Sequence, residues 1–176
     1  YPEALAAFEH ARDESAPLPC AQANLTCTVT CNERGVLSLY SDCTEWAGTP
    51  EALTLRRGDT WNLETGYPIT ASECFPRGTR VRALCLAAAR EQCRRQQESS
   101  LAVYHPDFSR RLRRNLNLRN FYLSEKGFHF FYQPWAIAPG FEGCPTFLLP
   151  FSDSETDAAG PLWPAGNPCN AEKSIV

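Results

Sequence analysis

Residues 120–151 carry the pattern that decides the fold, and they read NFYLSEKGFHFFYQPWAIAPGFEGCPTFLLPF. Alternating aromatic and aliphatic residues predict strands at 120–124 and 128–133, since such side chains suit a half-buried pleated surface. Glu125-Lys126-Gly127 predicts a three-residue turn between these strands, with glycine where a positive φ is tolerated. A last strand is predicted at 146–151, bounded by prolines. The segment is therefore expected to form an antiparallel sheet.

Aromatic residues are concentrated in this same segment: Phe121, Tyr122, Phe128, Phe130, Phe131, Tyr132, Trp135, Phe141, Phe147 and Phe151. Successive side chains of a strand point to opposite faces, so some of these rings belong to the core and others to the second face of the sheet. If a helix covers that second face, all of them are core residues. If none does, the face is an exposed aromatic surface of the kind that binds partners. The sequence leaves both interpretations open.

Upstream of this segment, alternating residues at 24–31 and 36–46 predict a β-hairpin closed by a glycine-containing connection. Two shorter strands are predicted at 52–56 and 60–63, with Gly58-Asp59 as the turn between them. All four strands lie before the helical part of the chain.

Three stretches favour helix. Residues 3–12 come first, and a proline-rich break follows them. A longer helix is predicted to begin with Thr79 as its N-cap and to reach about Glu98, with Val81, Leu84, Cys85, Ala88 and Ala89 as its apolar stripe. A basic helix is predicted over 107–116. Strands, helices and again strands predict an α+β fold, in which antiparallel sheets pack against helices and two small lobes form one compact unit.

The composition is that of a folded domain. The chain has 176 residues, of which 43% are hydrophobic and 21% charged, so a sizeable core is available and disorder throughout is excluded. No apolar run approaches the length of a transmembrane helix. The chain begins at Tyr1-Pro2 without a leader pattern, and we interpret it as a mature or trimmed ectodomain.

Nine cysteines are the unusual feature of the composition: Cys20, Cys27, Cys31, Cys43, Cys74, Cys85, Cys93, Cys144 and Cys169. None is spaced C-x-x-C, which disfavours a zinc site or a redox centre. Two interpretations remain open, a disulfide-stapled extracytoplasmic domain, which we favour, and buried free thiols. An odd number leaves at least one cysteine outside any internal pairing. On the first hairpin, Cys27 and Cys31 are expected to share one face with Val29.

The catalytic motifs of common enzyme classes are missing. There is no G-x-S-x-G elbow, no glycine-rich phosphate loop, no H-E-x-x-H and no dinucleotide fingerprint. His129 is interpreted as a half-buried strand residue, and the acidic run 153–157 lacks the glycine and the final glutamate of a calcium loop. Asp42 and Glu45 are a candidate carboxylate pair for acid–base catalysis. An enzyme is the minority interpretation, and no metal or other cofactor is expected.

Positive charge is concentrated between residues 77 and 119. This segment contains eleven arginines and only three carboxylates, although the whole chain has a net charge of −3. Such a stripe can bind a polyanion or simply form solvated helix faces that balance the acidic remainder. Nucleic acid is not expected as a partner, because the whole chain is acidic and carries no nucleic-acid-binding motif.

The C-terminal half resembles the RsiV-like domain family. The matching motifs are FYLSEKG at 121–127, Pro134-Trp135, Ile137-Ala138-Pro139, Gly143, Pro145 and Pro150-Phe151. The upstream half is similar to the PdaC-type domain that accompanies it, through Leu37-Ser38-Leu39, TWNLETG at 60–66 and Phe75. The resemblance implies a PdaC-type lobe at 1–76, an RsiV-like lobe at 77–151 and a tail at 152–176.

The resemblance also implies a function. Relatives are bacterial envelope modules, commonly membrane-tethered, including the ectodomain of an anti-sigma factor that senses lysozyme and non-catalytic companions of peptidoglycan deacetylases. By the match, the ligand-binding residues are Pro134, Trp135, Ile137, Pro139 and Phe141, although Trp135 stands where tyrosine is usual. We therefore expect a non-enzymatic, extracytoplasmic binding or sensor domain of a Gram-positive bacterium for a lysozyme-like protein or a cell-wall glycan. The alternative is a peptidoglycan-active enzyme or its accessory domain.

The tail suggests one further contact. Cys144 lies beside the expected binding loop, and a disulfide to Cys169 would pin the tail against it.

Overall fold

The computed structural model describes residues 21–47 and 52–151, together with Ala6, Glu9 and Pro161. The predicted helix at 3–12 falls almost wholly outside these residues, as do the tail and Cys169. No helix in the described part of the chain is long and apolar enough to cross a membrane.

The first sheet is antiparallel and contains β1 (Ala21–Glu33), β2 (Val36–Ala47) and β3 (Leu53–Asn62), in that order. The predicted hairpin between β1 and β2 is confirmed. Its turn is the pair Arg34 and Gly35, whose φ angles are 51° and 73°. Two successive positive φ values match the right-handed twist of the strands that they join.

The predicted turn at Gly58-Asp59 is wrong, because β3 continues through it. Gly58 lies opposite Tyr40 in the β2–β3 ladder. A Cβ on Gly58 would stand 2.0 Å from the carbonyl oxygen of Phe121, so the glycine allows the second sheet to approach the backbone of β3. Gly58 is therefore required for the close packing of two chain segments, and not for the turn that the sequence predicted.

The expectation that Cys27 and Cys31 share a face is also wrong. Val29 pairs with Leu39, but Cys31 already pairs with Ser38, so a β-bulge adds one residue to β1. One extra residue reverses the alternation of side chains. Cys31 is consequently buried, whereas Cys27 is exposed on the outer face of the sheet.

The second sheet contains β4 (Phe121–Ser124), β5 (Gly127–Phe131) and β6 (Thr146–Pro150), also antiparallel and in that order. It confirms the strands predicted from the opening segment. The turn differs by one residue: Ser124 pairs with Gly127, so Glu125 and Lys126 alone form the loop. His129 lies half-buried in β5, as predicted, with its ring stacked on that of Tyr122 at 4.7 Å between centroids.

Between residues 52 and 151 the chain forms two α-helices, α1 (Val81–Glu98) and α2 (Phe108–Asn115). The predicted N-cap of α1 is wrong by one residue, because the Val81 N–H bonds to the Thr79 carbonyl and Arg80 takes the cap position without a side-chain bond. The buried stripe of α1 is Val81, Cys85, Ala89 and Cys93.

The core and the α+β class agree with the prediction. One hydrophobic cluster joins residues of the first sheet, both helices and the second sheet, and its fully buried aromatic rings are Phe128, Phe130, Tyr132 and Phe147. The outer face of the first sheet instead exposes large apolar side chains among the described residues, namely Leu25, Val29, Leu53, Leu55 and Trp61. The proposed boundary of the lobes at residue 76 stays a prediction.

Candidate functional site

The first sheet meets the second at β4, which packs against β1, β2 and β3. As an edge strand, β4 has backbone groups that its own sheet cannot pair. The Leu123 N–H donates to Ser38 Oγ at 2.8 Å, and the Thr30 hydroxyl donates to the Leu123 carbonyl at 2.6 Å. Ser38 is itself fully buried and shares a 2.8 Å hydrogen bond with Thr60. Hydroxyl groups of one sheet thus cover the open edge of the other.

A second junction fixes the start of the loop that was expected to bind a ligand, residues 133–143, here called the aromatic loop. The Arg56 N–H donates to Gln133 Oε1 at 2.9 Å, and Gln133 Nε2 donates to the Arg56 carbonyl at 2.6 Å. The Gln133 amide therefore pairs with β3 much as a neighbouring strand does. The first residue of the aromatic loop is held on the first sheet.

Arg56 also anchors the interior of this junction. Its guanidinium donates two hydrogen bonds of 2.7 Å to the two oxygens of Asp42 and lies 4.2 Å from the centroid of the Tyr40 ring. Bidentate pairing of this kind fixes both side chains. Asp42 is therefore engaged on the inner face of β2, while Glu45 lies at an odd spacing on the opposite face. The two candidate catalytic carboxylates do not share a cleft.

Within the loop, Trp135 adopts an unusual backbone conformation. Its φ is 66°, in the left-handed region that large side chains rarely occupy. Such a conformation costs on the order of 1 kcal/mol and persists only where the surroundings impose it. Asn115 helps to impose it, because its side-chain amide donates to the neighbouring Ala136 carbonyl at 2.8 Å.

The conformation of Trp135 lays its indole ring against Gly140. A Cβ on Gly140 would lie 2.3 Å from Cε2 and from Cζ2 of the indole, closer than any side chain allows. The ring is nevertheless 50% exposed, and Phe141 beside it is 79% exposed. Both rings face a concavity of about 340 Å³ lined by Ala52, Thr54, Pro134, Trp135, Gly140, Phe141 and Gly143.

The structure separates the five expected ligand-binding residues into two groups. Pro134, Trp135 and Phe141 line the concavity. Pro139 is half-buried and starts the short 3-10 turn Gly140–Glu142. Ile137 is fully buried in the core, and its carbonyl accepts a 3.0 Å hydrogen bond from the His105 N–H. Four of the five residues therefore lie at the surface of the loop, whereas Ile137 anchors the loop in the core.

Sequence reasoning missed the residues that complete the concavity. Thr54 lies at the beginning of β3 and Ala52 just before it, far from the loop along the chain, and nothing in their local sequence predicts the contact. Gly140 could have been noticed, because it lies between a proline and an aromatic residue, but its neighbour Trp135 is five positions away and only the fold brings them together.

All seven cysteines of the described residues are free thiols, and the expected disulfide stapling is not confirmed. Three of them, Cys74, Cys85 and Cys93, are fully buried in the core and behave there as small apolar side chains. Cys144 is half-buried beside the aromatic loop. Burial raises the pKa of its thiol, and the nearby Arg56 opposes that shift. Its proposed partner Cys169 lies outside the described residues.

A larger concavity of about 740 Å³ lies along residues 62–81. Its carboxylate, Glu73, already accepts hydrogen bonds from the Thr70 backbone N–H at 2.7 Å and the Thr70 hydroxyl at 2.6 Å, which lower the pKa of Glu73. Across the described part of the chain, no cluster of three His, Cys, Asp or Glu residues could hold a metal ion. The aromatic loop remains the stronger candidate, because strain and exposed rings coincide there.

Fold and sequence place the chain beside proteins of unknown function. Residues 75–152 match the family described as DUF3298, protein of unknown function. The matched region includes both helices and the second sheet, and therefore the whole aromatic loop. The first sheet lies outside it. No curated protein matches the chain.

Two solved structures have a similar fold. A member of the DUF3298 family from Bacteroides fragilis aligns with a TM-score of 0.62 and 14% identity over 94% of this chain, and a DUF3298 family protein from Pseudomonas aeruginosa aligns with a TM-score of 0.57 and 14% identity over 83%. The chain spans 63% of the first of these structures and 72% of the second. At this identity the likeness shows the fold alone. The resemblance inferred from sequence is thus confirmed for a DUF3298 region, whereas its RsiV-like and PdaC-type details are not.

Proposed function

We propose that this chain is a non-enzymatic binding domain that holds its ligand on the aromatic loop. The observation that carries the proposal is the strained, half-exposed Trp135 resting on Gly140 at the edge of a concavity. Strained residues that their surroundings hold in place are concentrated at binding sites and active sites. Large aromatic rings contribute much of the affinity of protein surfaces.

The rigidity of the loop supports the same proposal. Gln133 is tied to β3, Ile137 is buried in the core, and Pro134 and Pro139 restrict the backbone between and around them. A surface held in this way loses little conformational entropy when a ligand binds. Trp135 and Phe141 then offer apolar area that needs no rearrangement.

The ligand class follows from the resemblance and from the shape of the site. The proposed ligand is a lysozyme-like protein or a cell-wall glycan, and the domain is an extracytoplasmic sensor module of a bacterial envelope protein, tethered to the membrane through another part of that protein. A shallow concavity with two projecting rings suits a protein side chain or a sugar ring better than a fully enclosed small molecule. Location is tested separately, by fractionating cells that express the whole protein.

The binding test compares two tryptophans of one chain. Hen lysozyme and purified peptidoglycan are titrated against the wild type, Trp135→Ala and Trp61→Ala. Trp61 is the matched control, because it is 37% exposed on β3 and does not line the concavity. We expect one of the two ligands to bind the wild type and Trp61→Ala, and to bind Trp135→Ala at least about tenfold more weakly. Equal affinity of all three chains overturns the site, and binding of neither ligand overturns the ligand class.

A further inference from the structure

Two groups of arginines on α1 and α2 differ in their ion pairing. Several are neutralised along their own helix: Arg94 pairs with Glu91 at 2.9 Å and with Glu98 at 2.5 Å, Arg95 with Glu91 at 2.7 Å, and Arg111 with Asp107 at 2.6 Å. Such pairs are the expected pattern of a solvated helix face. They explain part of the basic stripe without any partner.

A second group converges without a carboxylate. Arg90 of α1 and Arg110 and Arg113 of α2 line a shallow concavity of about 320 Å³, together with Ser109. Within the described part of the chain, none of the three guanidinium groups lies within ion-pair distance of a carboxylate. Arg110 and Arg113 are exposed, while Arg90 is half-buried. Within the described residues, three arginines therefore line one depression without an ion-pair partner.

This arrangement is unfavourable for the helix alone. Residues three apart are neighbours on a helix surface, so Arg110 and Arg113 repel each other, and Arg114, four residues from Arg110, adds to the same face. A bound anion would convert that repulsion into attraction. Guanidinium groups also match the geometry of phosphate oxygens, to which they donate two hydrogen bonds at once.

The two helices that form the concavity are held in place by hydrogen bonds that do not involve the side chains lining it. Arg82 of α1 donates to the carbonyls of Arg113 and Leu116 at 2.6 and 3.0 Å, and the buried Tyr132 hydroxyl donates to the Leu112 carbonyl at 3.1 Å. These three bonds fix the C-terminal end of α2 on α1 and on the second sheet. The backbone positions from which Arg110 and Arg113 extend are thereby fixed beside Arg90 before any ligand arrives.

We propose that this depression is a binding site for a phosphate group, formed by Arg90, Arg110, Arg113 and Ser109 and separate from the aromatic loop. Three guanidinium groups and a hydroxyl supply more donors than the two oxygens of a single carboxylate can use, whereas a phosphate offers three or four oxygens and up to two negative charges. The depression is open to solvent on one side, so the remainder of a phosphate ester would extend outward.

Calorimetric titration of the whole chain with inorganic phosphate and pyrophosphate tests the site. The test variant is Arg110→Gln with Arg113→Gln, and the control is Arg94→Gln with Arg95→Gln, which removes the same charge from arginines that are already paired. We expect saturable pyrophosphate binding that the test variant weakens about tenfold or more and the control changes by less than about twofold. Circular dichroism verifies that both variants fold.

Two results would overturn the proposal: no saturable binding of either anion, or an equal loss in both double variants, which would indicate diffuse attraction to net charge. Sedimentation with phosphatidylglycerol vesicles, and with phosphatidylcholine vesicles for comparison, distinguishes the source of the phosphate. Binding to the anionic vesicles that the test variant loses identifies a lipid headgroup, whereas pyrophosphate binding without vesicle binding identifies a soluble phosphate ester.

Discussion

The indole ring of Trp135 occupies the space that a side chain on Gly140 would fill. The ideal Cβ of residue 140 lies 2.3 Å from two atoms of the ring, and Trp135 itself has a φ of 66°. Two features therefore determine the position of the ring: the backbone conformation of Trp135 directs it towards residue 140, and the glycine there leaves room for it. Its free face stays directed at the concavity of the aromatic loop.

Gly140→Ala should displace that ring, because the added methyl group cannot fit beside it. We expect the free energy of unfolding to fall by about 1–3 kcal/mol, as in other overpacked contacts, and near-ultraviolet circular dichroism to show a changed environment of the indole. In a Trp135→Ala background the same substitution should cost much less, since the clash has no partner. If Gly140→Ala lowers the free energy of unfolding equally in both backgrounds, its effect does not come from contact with the indole ring.

Trp135→Gly and Trp135→Ala separate the ring from the backbone strain. Both remove the indole, but only glycine adopts a positive φ without cost. Urea unfolding should therefore show Trp135→Gly to be more stable than Trp135→Ala by about 1 kcal/mol. If alanine is as stable as glycine at this position, the backbone of Trp135 is not strained.

Ser38→Ala should weaken the junction of the two sheets. It leaves the buried Leu123 N–H without its 2.8 Å acceptor, at an expected cost of about 1–3 kcal/mol in the free energy of unfolding. Ser41→Ala is the matched control, because Ser41 lies on the opposite face of β2 and should change stability by less than about 0.5 kcal/mol. Similar losses in both variants would contradict the role given to Ser38.

The rate at which each thiol of the native protein reacts with an alkylating reagent should depend on how deeply that thiol is buried. Cys27 is exposed and should react first, whereas Cys74, Cys85 and Cys93 should react only on unfolding. Mass spectrometry of peptides after timed alkylation identifies each site. Rapid alkylation of Cys85 in the native protein would contradict the packing of α1.

The same thiols predict how stability changes with pH. Burial raises the pKa of Cys74 and Cys85 to about 12 and that of Cys93 to about 11, from 9.0. Their contribution is complete below pH 9, where the unfolded thiols are also protonated, and is lost as pH rises from 9 towards 12. By pH 10 the contribution of each buried thiol to the free energy of unfolding should fall by on the order of 1 kcal/mol. Urea unfolding at pH 8 and pH 10 measures the loss, which should be smaller in Cys85→Ala.

Local patterns predicted the second sheet well, since alternation and one glycine determine its strands and its first turn. The first sheet was harder. Gly58 resembles a turn residue in sequence, and only the approach of the Phe121 carbonyl reveals that it belongs to a strand. The bulge that separates Cys27 from Cys31 likewise leaves no local signal, because it depends on pairing with β2.

The candidate site was predictable only in part, for a similar reason. Pro134, Trp135 and Phe141 belong to one short segment of the chain, and the sequence motif predicted them together. Ala52 and Thr54 approach them through the bonds between Gln133 and Arg56, which join segments 77 residues apart. No local pattern encodes such a contact.

The role of Trp135 in binding is tested most directly by the affinity of Trp135→Ala for hen lysozyme and for peptidoglycan, measured beside the wild type and Trp61→Ala under identical conditions. We expect one of these ligands to bind the wild type and Trp61→Ala alike, and to bind Trp135→Ala at least about tenfold more weakly although that variant remains folded. Undiminished binding by Trp135→Ala would show that the aromatic loop is not the binding site.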